Sequence, residues 1–427
     1  MFSRLTHGPQ VLIVGAYLGF PKGMASTTHV RLLARGLVSS GRRVSVLVTT
    51  CTEDSEHPLN REVRGRVEGV DFEYTAGTTL RSTSSWVRAW RRVTALAVAS
   101  FRILNHRKTC DSVVLYGESY IHLLWLRWVC TCVGMNLIAC VVEWPLAEED
   151  ELPEWAVQNK IRHYSPIISP TGYGQWNSRR FYRRVFLLAD GLVVTSRFLE
   201  DRCRESGNEH CMRIPVLVDP EVWETVEAAV RERPYLLFCA YLDGYVHDAL
   251  FLIKALETLG QKGIDLLMVG RASADTCERI EEAAREAGRF EQLHLYTDYV
   301  EDKTLTSLYA GAIALLAPLH HDARSLARFP SKIGHYLMSG RPVVTFAVGD
   351  VCEHLEDGVS AFLYETDDHS ALAGKLQEIL IRKDADKVGL LGRSVATQSF
   401  DYRAHGRKMD RFLLGIRHNG QVAGRNP

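Results

Sequence analysis

Short apolar segments alternate with helical patterns along most of this 427-residue chain, and this alternation constrains the fold more than any other feature. In the first half the strand-like runs lie at 11–14, 44–49, 113–116, 137–142 and 191–195. Between the first two runs, Val30, Leu33 and Leu37 recur at helical spacing. A repeat of strand, helix and strand predicts a parallel sheet with helices on both faces.

A polar stretch at 224–233, followed by Pro234, separates this series from a second one. The second series has strand-like runs at 235–240, 266–269, 294–296, 313–317 and 343–346. We therefore predict an α/β protein with two doubly wound, Rossmann-like domains, at 1–229 and 230–392, which face each other across a cleft. Ligands of such sheets bind at the carboxyl ends of the strands. We expect a helix at 393–417 to cross back to the first domain and 418–427 to be a disordered tail.

Charge and cysteine content argue against several classes of protein. Lys plus Arg and Asp plus Glu number 51 each, so the overall charge gives no reason to expect a nucleic-acid partner. The ten cysteines are scattered without a CxxC motif, which favours a reducing cytoplasm over a disulfide framework or a zinc ribbon. The most apolar stretch, 121–142, is interrupted by Arg127 and by 134–136, so we interpret it as a buried helix and strand rather than a membrane span.

The segment FPSKIGHYLMSGRPVV at 329–344 predicts a helix whose start can bind an anion. Pro330 and Ser331 can begin this helix without the loss of a hydrogen bond, and Gly340 can end it. Lys332 then lies in the first turn, where unpaired N–H groups favour an anion such as a diphosphate.

Two arginines, Arg324 and Arg328, precede Lys332 by eight and four residues and add positive charge to this region. The alternative interpretation is an amphipathic core helix with solvated cations on its outer face. The residue types alone do not separate the two.

Seven sequence blocks, which span most of the chain, resemble the retaining GT-B glycosyltransferases of family 4. The second half contains MVGRAS at 268–273, LYTDYVEDKTLTSLYAGAIALLAPL at 295–319, the segment at 329–344 and DVCEHLEDGVSAFLYETDD at 350–368. The first half contains VLIVGAYLGFPKGMAS at 11–26, ADGLVVTSRFLED at 189–201 and IPVLVDPEVW at 214–223. The resemblance implies transfer of a sugar from a nucleoside diphosphate sugar to a hydroxyl acceptor with retention, and no metal or other cofactor.

The resemblance also implies donor contacts at matching positions. Gly270 and Arg271 would flank the ribose and phosphates, and Tyr299 and Val300 would present backbone groups to the nucleotide base. A glycine at such a turn between strand and helix also occurs without any ligand, so a purely structural role for Gly270 stays open.

The segment at 329–344 departs from the family pattern. The family often has two glutamates separated by seven residues, and the matching positions here are Ala327 and His335. His335 can still form a hydrogen bond with a ribose hydroxyl, but the first carboxylate has no replacement. The change leaves two alternatives open: a scaffold that binds nucleotide sugars without turnover, and an enzyme of another chemistry such as a nucleotide-sugar epimerase.

A second departure follows the strand-like run at 235–240. There the family often has an Arg and a Lys that neutralise the diphosphate, whereas this chain has Asp243, His247 and Asp248. We expect Arg324, Arg328 and above all Lys332 to supply the missing positive charge, with Lys332 counted as a catalytic residue because it would stabilise the departing diphosphate.

Three residues of the first domain are also candidates. Gly15 and Gly19, in the loop after the first strand, permit a close approach of the backbone to the donor or the acceptor. Glu143 ends a buried strand and is predicted to be catalytic, either by orienting an acceptor hydroxyl or by stabilising positive charge on the sugar. The alternative for Glu143 is to cap a loop.

Two basic stretches at 81–108 and 179–184 are rich in arginine and aromatic residues. Basic helices of this kind can lie on an anionic membrane surface, which would suit a peripheral protein at the inner face of the membrane and an anionic or lipid-linked acceptor. The alternative is one or two surface helices whose apolar faces pack on the domain core.

Overall fold

The computed structural model describes residues 9–144 and 172–423, with side chains for all of them except 175, 323 and 417–423. These residues form two compact units. The first unit comprises 9–144, 172–217 and 402–423, and the second comprises 218–401.

The first unit alternates strands and helices as predicted. Its elements are β1 (Gln10–Gly15), α1 (Ala25–Ser39), β2 (Arg43–Val48), β3 (Arg64–Val67), β4 (Val70–Tyr74), α2 (Ser85–His106), β5 (Cys110–Tyr116), α3 (Tyr120–Val133), β6 (Asn136–Val141), α4 (Gly172–Leu188), β7 (Gly191–Val194), α5 (Arg197–Glu205) and β8 (Cys211–Arg213). The strand order is β3-β4-β2-β1-β5-β6-β7-β8, and every pair is parallel except β3 with β4. The right-handed rule for parallel crossovers predicts α1 on one face of this sheet and α2, α3 and α4 on the other, and α3 contacts both α2 and α4.

The second unit contains β9 (Tyr235–Cys239), α6 (Val246–Leu259), β10 (Asp265–Val269), α7 (Ala274–Glu286), β11 (Leu293–Tyr296), α8 (Asp302–Gly311), β12 (Ala314–Ala317), α9 (Ala323–Ala327), α10 (Ser331–Met338), β13 (Val343–Phe346), α11 (Val351–His354), β14 (Phe362–Tyr364), α12 (His369–Ile381) and α13 (Ala385–Phe400). Its parallel strands follow the order β11-β10-β9-β12-β13-β14. The strand order therefore reverses between β9 and β12. Open sheets of this kind bind ligands at such a reversal, at the carboxyl ends of the strands.

The last helix, α14 (Tyr402–Ala423), packs against α1 in the first unit. The two helices cross closely at Gly36 and Gly406, because a Cβ on Gly406 would lie 2.2 Å from the Gly36 carbonyl oxygen. Next to this crossing, the buried Arg42 donates two hydrogen bonds of 3.0 and 2.9 Å to Asp111 and also pairs with Asp410 of α14.

Both ends of the second unit differ from the predicted boundaries at 230 and 392. The unit begins at Val218, because the Val218 N–H donates to the Phe400 carbonyl and Trp223 stacks on Tyr309, 6.4 Å away. At the other end, the predicted helix at 393–417 is two helices, since the backbone of Asp401 leaves the helical conformation, with a ψ of 120°, and ends α13.

The predicted tail at 418–427 begins too early. Helix α14 continues to Ala423, because no proline interrupts it before that residue, and 424–427 lie outside the described residues.

Candidate functional site

Two arginines and a tyrosine meet where the strand order reverses in the second unit. Tyr245 follows β9, and Arg324 and Arg328 follow the neighbouring β12. Both guanidinium groups lie over the Tyr245 ring, at 4.6 Å for Arg324 and 5.1 Å for Arg328. Arg328 Nη1 also donates a 2.6 Å hydrogen bond to the Tyr245 hydroxyl. The aromatic ring therefore holds two positive charges side by side.

Both arginines are buried, with 8% of Arg324 and 9% of Arg328 exposed. Arg324 Nη2 has no hydrogen-bond partner among the described residues. A buried guanidinium group is unfavourable unless an acceptor or an opposite charge compensates it. An anionic ligand with several oxygens, such as a diphosphate, meets this requirement.

Helix α10 begins and ends as the sequence predicts. Pro330 occupies the N-cap position without a side-chain hydrogen bond, and Gly340 follows the helix with a φ of 74°. Lys332 is the second residue of the helix, is half-buried and makes no ion pair with a described residue. The Tyr336 hydroxyl accepts a 2.8 Å hydrogen bond from the Cys239 N–H, which ties α10 to the end of β9.

Ser331 and His335 lie four residues apart on α10, so they share one side of the helix, and both are half-buried. Ala327 stands where the family has its first glutamate. It is fully buried in α9 and has no polar group that could take the place of that carboxylate. His335 thus keeps the position that the resemblance assigns to a ribose contact, and that contact stays a prediction.

The other predicted donor residues lie at the same carboxyl edge of the second sheet. Gly270 and Arg271 follow β10, and Tyr299 and Val300 follow β11. Gly270 has a φ of 147°, and a Cβ there would lie 1.7 Å from the Ala240 carbonyl oxygen, so close packing alone requires this glycine. The structural interpretation of Gly270 therefore has a physical basis, whether or not a ligand binds beside it.

A second polar cluster lies at the same reversal of strand order. His320 Nε2 lies 3.0 Å from Asp248 Oδ1, and His320 Nδ1 lies 2.8 Å from Asp367 Oδ1. His247 Nε2 lies 2.7 Å from the same Asp248 oxygen. Asp248 and His320 are buried, whereas the side chain of His247 is partly exposed.

The electrostatics of this cluster favour its charged forms. Burial opposes charge on His320, but its hydrogen bonds to Asp248 and Asp367 outweigh burial and raise its pKa to about 9. Burial likewise opposes charge on Asp248, but the two histidines outweigh it and hold the pKa of this carboxyl well below its usual range.

In the first unit, Gly15 ends β1, and its carbonyl accepts a 2.9 Å hydrogen bond from the Thr49 hydroxyl. Gly19 lies in the following loop, where its carbonyl accepts a hydrogen bond from the Thr27 hydroxyl. Both glycines thus stand at the carboxyl edge of the first sheet, in a different unit from the arginine pair.

Glu143 is half-buried just after β6, and the structure places a second carboxylate, Glu118, after the neighbouring β5. Burial, followed by the negative charge of Glu143, raises the pKa of Glu118 to about 8. Glu118 Oε2 is buried and has no hydrogen-bond partner among the described residues. The two acids therefore form a pair in which Glu118 favours the protonated state.

The sequence interpretation missed Glu118, Tyr245 and Asp367. The signal for Glu118 was available, because an acid that follows a buried strand by two residues lies at the same sheet edge as Glu143. No local signal marks Tyr245 or Asp367, because their partners lie 83 and 47 residues away along the chain.

A separate cavity of about 540 Å³ lies in the first unit, and residues of β2, β3, β4 and α2 line much of it. None of the predicted site residues lines it, and Arg102 in its wall already pairs with Glu73 at 2.8 Å. We therefore do not assign the candidate site to this cavity.

Comparison with known proteins gives a family match within the second unit. Residues 233–382 match the family model described as glycosyl transferases group 1. A search of curated protein sequences finds no relative that matches. Among solved structures, sucrose-phosphate synthase from Thermosynechococcus elongatus is similar to this chain, with a TM-score of 0.69 and 16% sequence identity. The similarity covers 95% of this chain and 99% of the synthase chain.

Two further structures are similar over 95% of this chain and 100% of their own length. HepE from Anabaena in complex with UDP-glucose has a TM-score of 0.64 at 13% identity, and WaaG, a glycosyltransferase involved in lipopolysaccharide biosynthesis, has 0.61 at 14%. The chain has the GT-B fold. The matched group 1 domain further supports a glycosyltransferase, and this domain contains the arginine pair and α10.

Proposed function

We propose that this GT-B protein transfers a sugar from a nucleoside diphosphate sugar to a hydroxyl acceptor, with retention of configuration at the sugar carbon. The observation that carries the proposal is the buried Nη2 of Arg324, which has no partner in the part of the chain that the structure describes and lies beside Arg328 at the reversal of strand order in the group 1 domain. The complex of HepE with UDP-glucose makes a uridine diphosphate sugar the first donor to test. Retention is supported by the resemblance to retaining enzymes of family 4.

The chemistry proposed for this site is mainly electrostatic. Arg324 and Arg328 stabilise the negative charge that develops on the departing diphosphate, and Lys332 adds a third cation at the start of α10. The N–H groups of the first turn of α10 provide further donors. In the first unit, Glu143 is proposed to orient the acceptor hydroxyl, and Glu118 to hold a proton beside it.

Donor binding can be tested with Lys332→Glu. We expect calorimetric titration with UDP to show at least about tenfold weaker binding, because a hydrogen bond to a charged group contributes roughly 1.5–3 kcal/mol. Lys387→Glu is the matched control, since Lys387 is an exposed cation in the first turn of α13 in the same unit. Equal affinities of both variants and the unchanged protein would contradict the role of Lys332.

Turnover can be tested with a panel of nucleotide sugars and hydroxyl acceptors. Release of nucleoside diphosphate together with a glycosylated product supports the transferase, and the anomeric coupling in the product's NMR spectrum decides retention. Thermal stabilisation by a nucleotide sugar without release favours the scaffold, for which the missing carboxylate at Ala327 is the specific argument. Conversion of the sugar while it stays attached to the nucleotide favours the epimerase.

We further propose that the first unit contacts an anionic membrane surface, where a lipid-linked acceptor would lie. Helix α2 exposes Trp86 and Trp90 by 86 and 69%, and the adjacent helix α3 exposes Trp128 by 62%. Trp125 Nε1 donates a 2.8 Å hydrogen bond to Ser100 Oγ, which joins α3 to α2. Aromatic side chains of this kind suit the interfacial region of a bilayer.

Positive charge accompanies these tryptophans. On α4 the four arginines of 179–184 are all exposed. Among the described residues no helix is both long and apolar enough to cross a bilayer. The role of WaaG in lipopolysaccharide biosynthesis is consistent with an acceptor of this class.

Sedimentation with vesicles tests the membrane proposal. We expect binding to vesicles that contain anionic lipid, weaker binding at high salt and in Trp86→Ser/Trp90→Ser, and no change in Ile381→Ser, which alters an exposed apolar residue of the second unit. Binding that is equal for the double variant and the unchanged protein would contradict the proposed surface.

A further inference from the structure

We propose that His247, Asp248 and His320 bind a divalent transition-metal ion, with Zn²⁺ as the preferred ion, at the reversal of strand order between β9 and β12. The assignment of the ligands stands on the geometry of these side chains. The role of the ion rests on the proposed function, because the ion would supply positive charge to the diphosphate site.

Three ligand atoms converge in this cluster. His247 Nε2 and His320 Nε2 lie 2.7 and 3.0 Å from Asp248 Oδ1, and all three atoms lie within 4.8 Å of one another. Zinc ligands of these types lie about 2.0–2.2 Å from the ion, so small shifts of the side chains would admit it. Two imidazoles with one carboxylate are a donor set that binds Zn²⁺ and similar ions with positions left for other ligands.

A fourth residue orients one of these ligands. Asp367 Oδ1 lies 2.8 Å from His320 Nδ1, on the side of the ring that faces away from Asp248. With Nδ1–H donated to Asp367, an ion would replace the proton that Nε2 shares with Asp248, and that proton would be released on binding. Most histidine ligands of metals have such a carboxylate or carbonyl partner. Phe251 packs edge-on against the His320 ring at 5.3 Å and restricts its rotation.

Burial and charge are compatible with an ion. Asp248 and His320 are buried, whereas 21% of the His247 side chain is exposed, which gives the ion a side from which to enter. The nearby guanidinium groups of Arg324 and Arg328 oppose a cation, and the carboxylates of Asp248 and Asp367 offset them.

The location of this cluster connects it with the anion site. His247 stacks on Tyr245 at 6.4 Å and 24°, and Tyr245 carries Arg324 and Arg328 on its ring. The resemblance places an Arg and a Lys in this loop, where the chain has histidine and aspartate instead. An ion held by His247, Asp248 and His320 would add to the positive charge that Arg324, Arg328 and Lys332 supply in the proposed function.

Calorimetric titration of the full chain, after EDTA treatment and dialysis, with zinc chloride tests the site. We expect one equivalent of Zn²⁺ to bind, magnesium chloride to give no binding, and His247→Gln to weaken Zn²⁺ binding at least tenfold. His294→Gln is the matched control, because His294 Nε2 lies 3.0 Å from Asp265 in the same unit without a third ligand. We expect this control to bind Zn²⁺ as the unchanged protein does.

Two results would overturn the site: no stoichiometric Zn²⁺ in the unchanged protein, or equal affinity in His247→Gln. Either would mean that a protonated His320 simply bridges two carboxylates. Since His247 is partly exposed, its variant should fold, which circular dichroism verifies. Asp367→Asn provides a second variant that keeps all three ligands, and we expect roughly 10- to 100-fold weaker Zn²⁺ binding from it.

A second titration, with UDP, separates the role of the ion from the proposed transferase. We expect at least tenfold tighter UDP binding with Zn²⁺ than with EDTA, and no such gain in His247→Gln. Equal UDP affinity in both conditions would overturn the role of the ion while donor binding stands. Zn²⁺ binding without any affinity for nucleoside diphosphates would instead refute donor binding and leave the metal site in place.

Discussion

Arg324 provides the sharpest test of the donor site, because it is buried while its Nη2 has no hydrogen-bond partner among the described residues. Replacement by methionine removes its contact with the Tyr245 ring, which contributes about 0.5–2 kcal/mol. The same change removes a buried Nη2 donor that no described residue accepts from, and burial of such a donor costs about 1–3 kcal/mol. The two effects oppose each other, so we expect Arg324→Met to shift the free energy of unfolding by no more than about 1 kcal/mol.

Ligand affinity should respond much more strongly than stability. A charge-assisted hydrogen bond to phosphate contributes about 1.5–3 kcal/mol, which corresponds to a loss of about 10- to 150-fold in UDP affinity. Calorimetric titration measures this loss, and thermal unfolding without ligand measures stability. We therefore expect an unchanged Tm together with a large increase in Kd.

Arg289→Met is the matched control for Arg324→Met. Arg289 is equally buried in the same unit, but its Nη1 donates a 2.9 Å hydrogen bond to the Gln261 carbonyl. Its loss should lower the Tm and leave UDP affinity unchanged. The reasoning fails if Arg324→Met lowers the Tm as much as Arg289→Met does and binds UDP as the unchanged protein does.

Three further predictions concern stability. Burial raises the pKa of Glu118 from 4.5 to about 8, so the contribution of this residue to stability falls as pH rises from about 4.5 to about 8. Glu118→Gln should therefore match the unchanged protein in Tm at pH 5 and exceed it at pH 9. Curves of Tm against pH that run parallel for the two proteins would contradict this. Asp111→Ala leaves the buried Arg42 with Asp410 as its one remaining ion-pair partner among the described residues, and should destabilise the protein by about 3 kcal/mol in urea unfolding. An unchanged midpoint would show that the pair with Asp410 is enough to compensate the charge of Arg42. Gly270→Ala places a methyl group against the Ala240 carbonyl and should lower the Tm strongly. The control Gly374→Ala adds a methyl group to open space on α12 and should raise the Tm slightly.

Local signals made much of the fold predictable. Pro330 and Gly340 act on their own stretch of backbone, so the limits of α10 follow from the sequence. Boundaries that depend on distant contacts do not. Trp223 belongs to the second unit because it stacks on Tyr309, which lies 86 residues further along the chain. The amino-acid composition of the polar stretch around the boundary does not reveal that contact.

The candidate site divides in the same way. The cations of the loop after β12 were predicted, because their spacing before a helix start is a local pattern. Their common partner Tyr245 and the convergence of His247, Asp248 and His320 depend on the adjacency of β9 and β12. That adjacency is a property of the strand order, which sequence patterns do not specify.

The crossing of Gly36 and Gly406 affects the order in which the protein can fold during synthesis. The described residues of the second unit form one continuous stretch of sequence, 218–401, which leaves the ribosome before α14 does and can fold earlier. The first unit begins earlier but needs α14, which is translated after the entire second unit. A nascent chain that stalls before Tyr402 would therefore carry a folded second unit and an uncovered α1, a surface that chaperones bind and proteases attack.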